Sequence, residues 1–168
     1  MTYFLDYQNE EKNYKIIKTN VSSADTAGTS WSNVTGSQIS YKPKSGVSKI
    51  IYEFNTAFGR KDDDSSVEFR LRIGNTIGEV SNIGSNYYSS FGNTNAASFR
   101  GYRFIELRYD LDTSLFGSSG TDEKVIVLQC RAFNGSSSKE SYINCTRSPS
   151  NIGSDGFLYD PVVICYSL

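Results

Sequence analysis

Val67-Glu-Phe-Arg-Leu-Arg-Ile73 alternates Val67, Phe69, Leu71 and Ile73 with Glu68, Arg70 and Arg72. Period two sends the two sets to opposite faces of an extended strand, so one face is core and the other is polar. Upstream, Ser48 to Phe58 carries Ile50, Tyr52, Phe54 and Phe58 on one side and Ile51, Glu53 and Asn55 on the other. Gly59 and Asp62-Asp63-Asp64-Ser65-Ser66 form the turn between the two strands. Downstream, Phe99 to Leu111 keeps Ile105, Leu107, Tyr109 and Leu111 in register, and Lys124 to Phe133 does the same with Ile126, Leu128, Cys130 and Ala132. The closing stretch, Phe157 to Leu168, is apolar on both faces, which predicts a central strand covered from two sides. Strand signals separated by Gly, Ser, Asn and Asp clusters, with almost no helix signal, predict an all-β antiparallel sandwich or barrel.

The rest of the chain is less regular. Met1 to about Val21 mixes short apolar clusters (Tyr3, Phe4, Leu5; Ile16, Ile17) with the charged run Glu10-Glu11-Lys12 and reads as a separate arm. Ser22 to Ser37 is mostly Ser, Thr, Ala, Gly and Asn around the lone Trp31, the composition of a loop or a loosely paired strand. The expected division is therefore an N-terminal arm and linker over 1–37 and a β-sandwich head over 38–168. Gly78 to Ala97 predicts a weak strand and an exposed loop bearing Tyr87, Tyr88 and Phe91.

Composition removes several function classes. The 168 residues are 38% apolar and 14% aromatic, enough for one packed core and too many aromatics for a disordered chain. Seventeen basic against eighteen acidic groups leave no excess to neutralise a phosphate backbone, so nucleic acid is not an expected partner. No run approaches the length of a membrane span and the amino terminus has no signal-peptide pattern, so synthesis and folding in a cytoplasm are expected. With no histidine, Ser-His-Asp and Cys-His nucleophiles, HExxH zinc sites and histidine pH switches are all closed. Cys130, Cys145 and Cys165 match no zinc spacing and are odd in number, which predicts buried thiols and no disulfide framework. No cofactor is indicated. Asn20, Asn33, Asn134 and Asn144 head Asn-x-Ser/Thr tripeptides, which matter only after secretion.

The run from Gln38-Ile-Ser-Tyr-Lys-Pro-Lys-Ser-Gly-Val-Ser-Lys-Ile-Ile-Tyr-Glu-Phe-Asn55 through a polar turn to Val67–Ile73, a long middle strand and an apolar closing strand is distinctive. It resembles the trimeric jelly-roll heads, similar in fold to the C1q and tumour-necrosis-factor group, of structural proteins from aquatic phages and large algal viruses. Ser45-Gly46-Val47-Ser48-Lys49 is the best local match, and the resemblance covers about three quarters of the chain. It implies a jelly-roll β-sandwich, a homotrimer and a virion surface location. On that reading the protein is a non-enzymatic capsid decoration protein, docked through its amino-terminal arm on a major capsid protein or another virion protein. The alternative is the host-receptor or glycan-binding head of a tail or head fibre.

Candidate sites follow from both readings. Tyr3, Phe4, Leu5, Ile16 and Ile17 are the particle-docking candidates, because an apolar cluster at a terminus needs a surface to cover it. Glu68, Arg70, Arg72, Glu106 and Arg108 are candidates for a trimer interface, where arginine–carboxylate pairs could form between strands or chains; the alternative is a solvated sheet face. An enzyme reading would make Glu68 and Glu106 a glycosidase pair, since two carboxylates suffice for that chemistry without histidine. Tyr87, Tyr88 and Phe91 are the receptor or glycan candidates, against the alternative that they cover a sandwich edge. Trp31 reads as a packing anchor between arm and body. Asp62, Asp63 and Asp64 could bind calcium or simply form an acidic turn.

Overall fold

The computed structural model describes residues 4–9, 13–60, 65–84, 87–92, 103–137, 141–145 and 158–168, of which 4–9, 60, 91, 92 and 103 are described as backbone. In chain order the strands are β1 (Phe4–Asn9), β2 (Tyr14–Thr19), β3 (Asp25–Ala27), β4 (Ser32–Asn33), β5 (Ile39–Tyr41), β6 (Ile50–Arg60) and β7 (Ser66–Gly74). They continue with β8 (Ser81–Asn82), β9 (Tyr88–Gly92), β10 (Arg103–Leu111), β11 (Lys124–Ala132), β12 (Ser141–Ile143) and β13 (Val162–Ser167). Short 3-10 turns at Ile77–Glu79, Thr113–Phe116 and Phe133–Gly135 join them among the described residues.

Every described pairing is antiparallel, and the strands form two sheets. In sheet A, β6 pairs with β10 along one edge and with β13 and β12 along the other, and β2 and β1 follow beyond β13 while β3 lies beside β12. In sheet B, β11 pairs with β7 on one side and with β4 and β5 on the other, and β7 carries β8 and β9 on its far edge. The chain crosses repeatedly: β5 in B, β6 in A, β7 to β9 in B, β10 in A, β11 in B, β12 and β13 in A. This is a jelly-roll β-sandwich, two sheets face to face with a shared core.

The alternation that reads in the sequence fills that core. Ile50, Tyr52, Phe54 and Phe58 of β6 meet Val67, Phe69, Leu71 and Ile73 of β7, Ile105, Leu107, Tyr109 and Leu111 of β10, Ile126, Leu128 and Cys130 of β11, and Val163 and Cys165 of β13. Removing such apolar area from water is the main stabilising contribution. Polar atoms that enter the core are paired: the Tyr52 hydroxyl donates to the Ser37 carbonyl at 2.6 Å, and the Tyr41 hydroxyl to the Asn13 carbonyl at 2.7 Å.

The amino-terminal stretch differs from the arm and linker expected over 1–37. Residues Tyr14–Thr19 form β2, hydrogen-bonded to β13, with Ile17 packed on the core, and β3 and β4 bring further short pieces into sheets A and B. A six-residue strand with Ile16 and Ile17 adjacent shows no clean period, and strands of two or three residues show none, so these elements leave little trace in the sequence pattern.

Candidate functional site

The two faces that point away from the core carry the residues of interest, and they differ in character. On sheet B, strand register builds rows across the outer face. Arg70 lies opposite Gln129 on β11 and Tyr88 on β9, Glu68 opposite Arg131 and Ser90, and Arg72 opposite Val127 and Asn82. Arg131 Nε donates to Glu68 Oε2 at 2.7 Å, and Arg70 donates Nε at 2.9 Å and Nη2 at 2.7 Å to Gln129 Oε1. Gln129 Nε2 passes the network on to Asn33 Oδ1 at 2.8 Å. Arg72 Nη2 donates to the Val80 carbonyl, and its Nε is buried with no partner among the described residues.

Trp31, just before β4, caps this network. Its ring lies 4.3 Å from the Arg70 guanidinium and 4.6 Å from that of Arg131, within cation–π range of both. Tyr88 stands edge-on to the same ring, with centroids 5.9 Å apart. Trp31 thus packs across sheet B instead of joining arm to body. On β11, Val127 and Gln129 face outward yet are buried, opposite Arg72 and Arg70 of β7. Long arginine stems cover apolar surface while the charged ends stay polar-paired.

On sheet A, the described residues place no comparable cluster over β13. Val163 and Cys165 are fully buried on its inner face, whereas Val162, Ile164 and Tyr166 point outward and are half-buried. Register places Ile164 between Ile16 of β2 and Glu53 of β6, and Tyr166 between Tyr14 and Ile51. The face is therefore apolar along β2 and β13 and becomes charged toward β10. There Arg108 Nη1 binds Glu53 Oε1 at 2.8 Å, Lys49 Nζ binds Asp110 Oδ2 at 2.8 Å, and Glu106 is exposed. The Lys49 ammonium holds the Asp110 carboxyl below the usual carboxylate range. Tyr166 donates to Glu53 at 3.0 Å, and its phenol is pushed up, chiefly by burial and then by that carboxylate. Phe104, 57% exposed, ends the row on β10 and meets the Tyr159 ring at 5.2 Å between centroids.

Against these faces, the residues singled out from sequence separate. Glu68, Arg70 and Arg72 lie on sheet B, and Glu106 and Arg108 lie on sheet A, so the structure does not bring the five together. The same separation bears on Glu68 and Glu106 as a hydrolytic pair. Outward side chains of two sheets about 10 Å apart cannot flank one glycosidic bond, which needs carboxyls within roughly 5 to 9.5 Å.

Tyr87 is half-buried against the core edge while Tyr88 points outward, and Phe91 lies opposite Val67 in register, its side chain outside the described residues. Of the docking candidates, Ile16 is on the outer face of sheet A and Ile17 on its inner face. Phe4 and Leu5 are backbone positions on β1, and Tyr3 lies outside the described residues, as do Asp62, Asp63 and Asp64.

Sequence reasoning missed the Trp31–Arg70–Arg131–Tyr88 cluster, because its members come from four separate strands or their flanks. The one local signal was a lone tryptophan in a Ser/Thr/Asn-rich stretch. No family model matches the chain, and no curated protein matches it either.

Proposed function

We propose that this chain is a non-enzymatic structural protein, a jelly-roll head that associates as a homotrimer on the surface of a virion. The observation that carries the association is the outer face of β13. On β11, outward Val127 and Gln129 are buried opposite Arg72 and Arg70 of the same chain. β13 leaves Val162, Ile164 and Tyr166 only half-buried beside Ile16 and Tyr14. A contiguous apolar face of this kind, bordered by the charges of β10, has the composition of an association surface with a polar rim. Glu106 and Arg108 lie in that rim and keep the interface role given to them above. Glu68, Arg70 and Arg72 fall on the far side of the sandwich and take no part in it.

The virion location rests on the resemblance of residues 38–168. Docking falls to β1, which ends sheet A among the described residues and whose edge would offer backbone donors and acceptors to a neighbouring protein.

The test is Ile164→Asp, which places an uncompensated carboxylate at the centre of the proposed interface. Size-exclusion chromatography should move the variant from the trimer to the monomer position while circular dichroism keeps the β signature. An unchanged elution position would remove sheet A as the interface.

A further inference from the structure

Around Trp31, the outer face of sheet B combines features that core packing does not require. The outward positions of β7 and β11 carry three guanidiniums, Arg70, Arg72 and Arg131, against one carboxylate, Glu68. Arg70 gives two N–H groups to Gln129 and Arg131 gives one to Glu68, so each guanidinium retains donors beyond those bonds. The Trp31 ring is fixed by both guanidiniums and by Tyr88, itself 43% exposed, so little side-chain freedom remains to be lost on binding. Exposed Asn33, Asn82 and Ser90 rim the cluster with short donors and acceptors.

We propose that this face is a binding site for an acidic saccharide, a pyranose bearing a carboxylate or a sulfate. The apolar C–H face of a sugar ring suits an aromatic surface, amides and hydroxyls suit its hydroxyl groups, and a guanidinium fork suits its acid group. The excess of arginine selects the acidic sugar over a neutral one, and the chain has no basic excess to neutralise a nucleic-acid backbone. The site lies on the sheet opposite the proposed association face, so it stands or falls independently of the trimer.

Trp31 is the single tryptophan, and its fluorescence therefore reports this site alone. Titrations would use tetragalacturonate, a sulfated galactose oligosaccharide and neutral maltotetraose. The expected result is a saturable change with one or both acidic probes, identifying the acid, and binding at least about tenfold weaker to maltotetraose, equivalent to roughly 1.4 kcal/mol. Tyr88→Ala, at an exposed position, should weaken acidic-probe binding about tenfold, while Arg70→Gln should erase the preference for acid. No saturable change with any probe, equal affinity for the neutral one, or unaltered affinity in Tyr88→Ala would each overturn the site.

Discussion

Asn144 is where a single substitution tests most of the packing argument. It follows β12 with a left-handed backbone, φ 61°, is fully buried, and joins three segments. Thr56 Oγ1 donates to its Oδ1 at 2.6 Å, and its Nδ2 donates to the Thr35 carbonyl at 3.0 Å and to Asp25 Oδ2 at 3.2 Å. Asn144→Ala removes all three bonds and puts a Cβ-bearing residue without a local hydrogen bond into the left-handed region, at about 1–2 kcal/mol. The Thr35 carbonyl and the half-buried Asp25 carboxylate each lose a donor, at roughly 0.5–1.5 kcal/mol per bond. Thr56 suffers less, because its hydroxyl also reaches the Ala57 carbonyl at 3.3 Å.

The expected loss is about 2–5 kcal/mol, which for a chain of this size lowers Tm by roughly 4–20 °C. Asn144→Gly should recover about 1 kcal/mol of it, the part due to backbone strain. Thermal and denaturant unfolding followed by circular dichroism give both values. An alanine variant within about 1 kcal/mol of the native chain, or a glycine variant no better than alanine, would refute the network as a stabilising element. The same burial means that the Asn144 tripeptide cannot be glycosylated in the folded protein.

The Asp25 carboxyl is held above its ordinary range by burial, partly offset by its bonds to Thr35, so Asn144→Asp would set a second carboxylate against it. A raised folded-state value favours the protonated form, so the variant should be closest to native stability near about pH 4 and lose stability as pH rises toward 7, measured by denaturant midpoints across that range. Burial pushes the Cys130 thiol up to about 12 and the Cys165 thiol well above its usual value, and Cys145 is also buried. Ellman's reagent at pH 8 should therefore find no fast-reacting thiol in the native chain and three after unfolding; rapid native labelling would contradict the packing of β11 and β13. The phenols of Tyr41 and Tyr109 are raised to about 12 and that of Tyr52 well above its usual value, chiefly by burial. Their contribution to stability is intact below about pH 10 and lost as pH rises through 12, so tyrosinate absorbance from these three should appear together with alkaline unfolding. Tyr52→Phe leaves the buried Ser37 carbonyl without its 2.6 Å donor and should lower stability by about 1–3 kcal/mol in denaturant titration.

The long strands were legible because their alternation is long. Nine residues of β7 and eleven of β6 repeat period two often enough to fix both the strand and its inner face. β2, β3 and β4 are too short or too mixed to announce themselves, which is why residues 14–33 read as arm and linker. The polar faces of β7 and β10 were equally legible, but a strand's period does not say which sheet it joins. That depends on crossings between sheets, and they put Glu68 and Glu106 on opposite sides. Trp31 meets Arg70, Tyr88 and Arg131 only through those same crossings, so neither spacing nor composition could have assembled the cluster.

Association through β13 is the central claim, and the mass of the purified chain by light scattering tests it most directly. The account predicts about three times the 18.7 kDa of one chain. A mass of 18.7 kDa that persists at high protein concentration would contradict it and leave the apolar outer face of sheet A without the partner proposed for it.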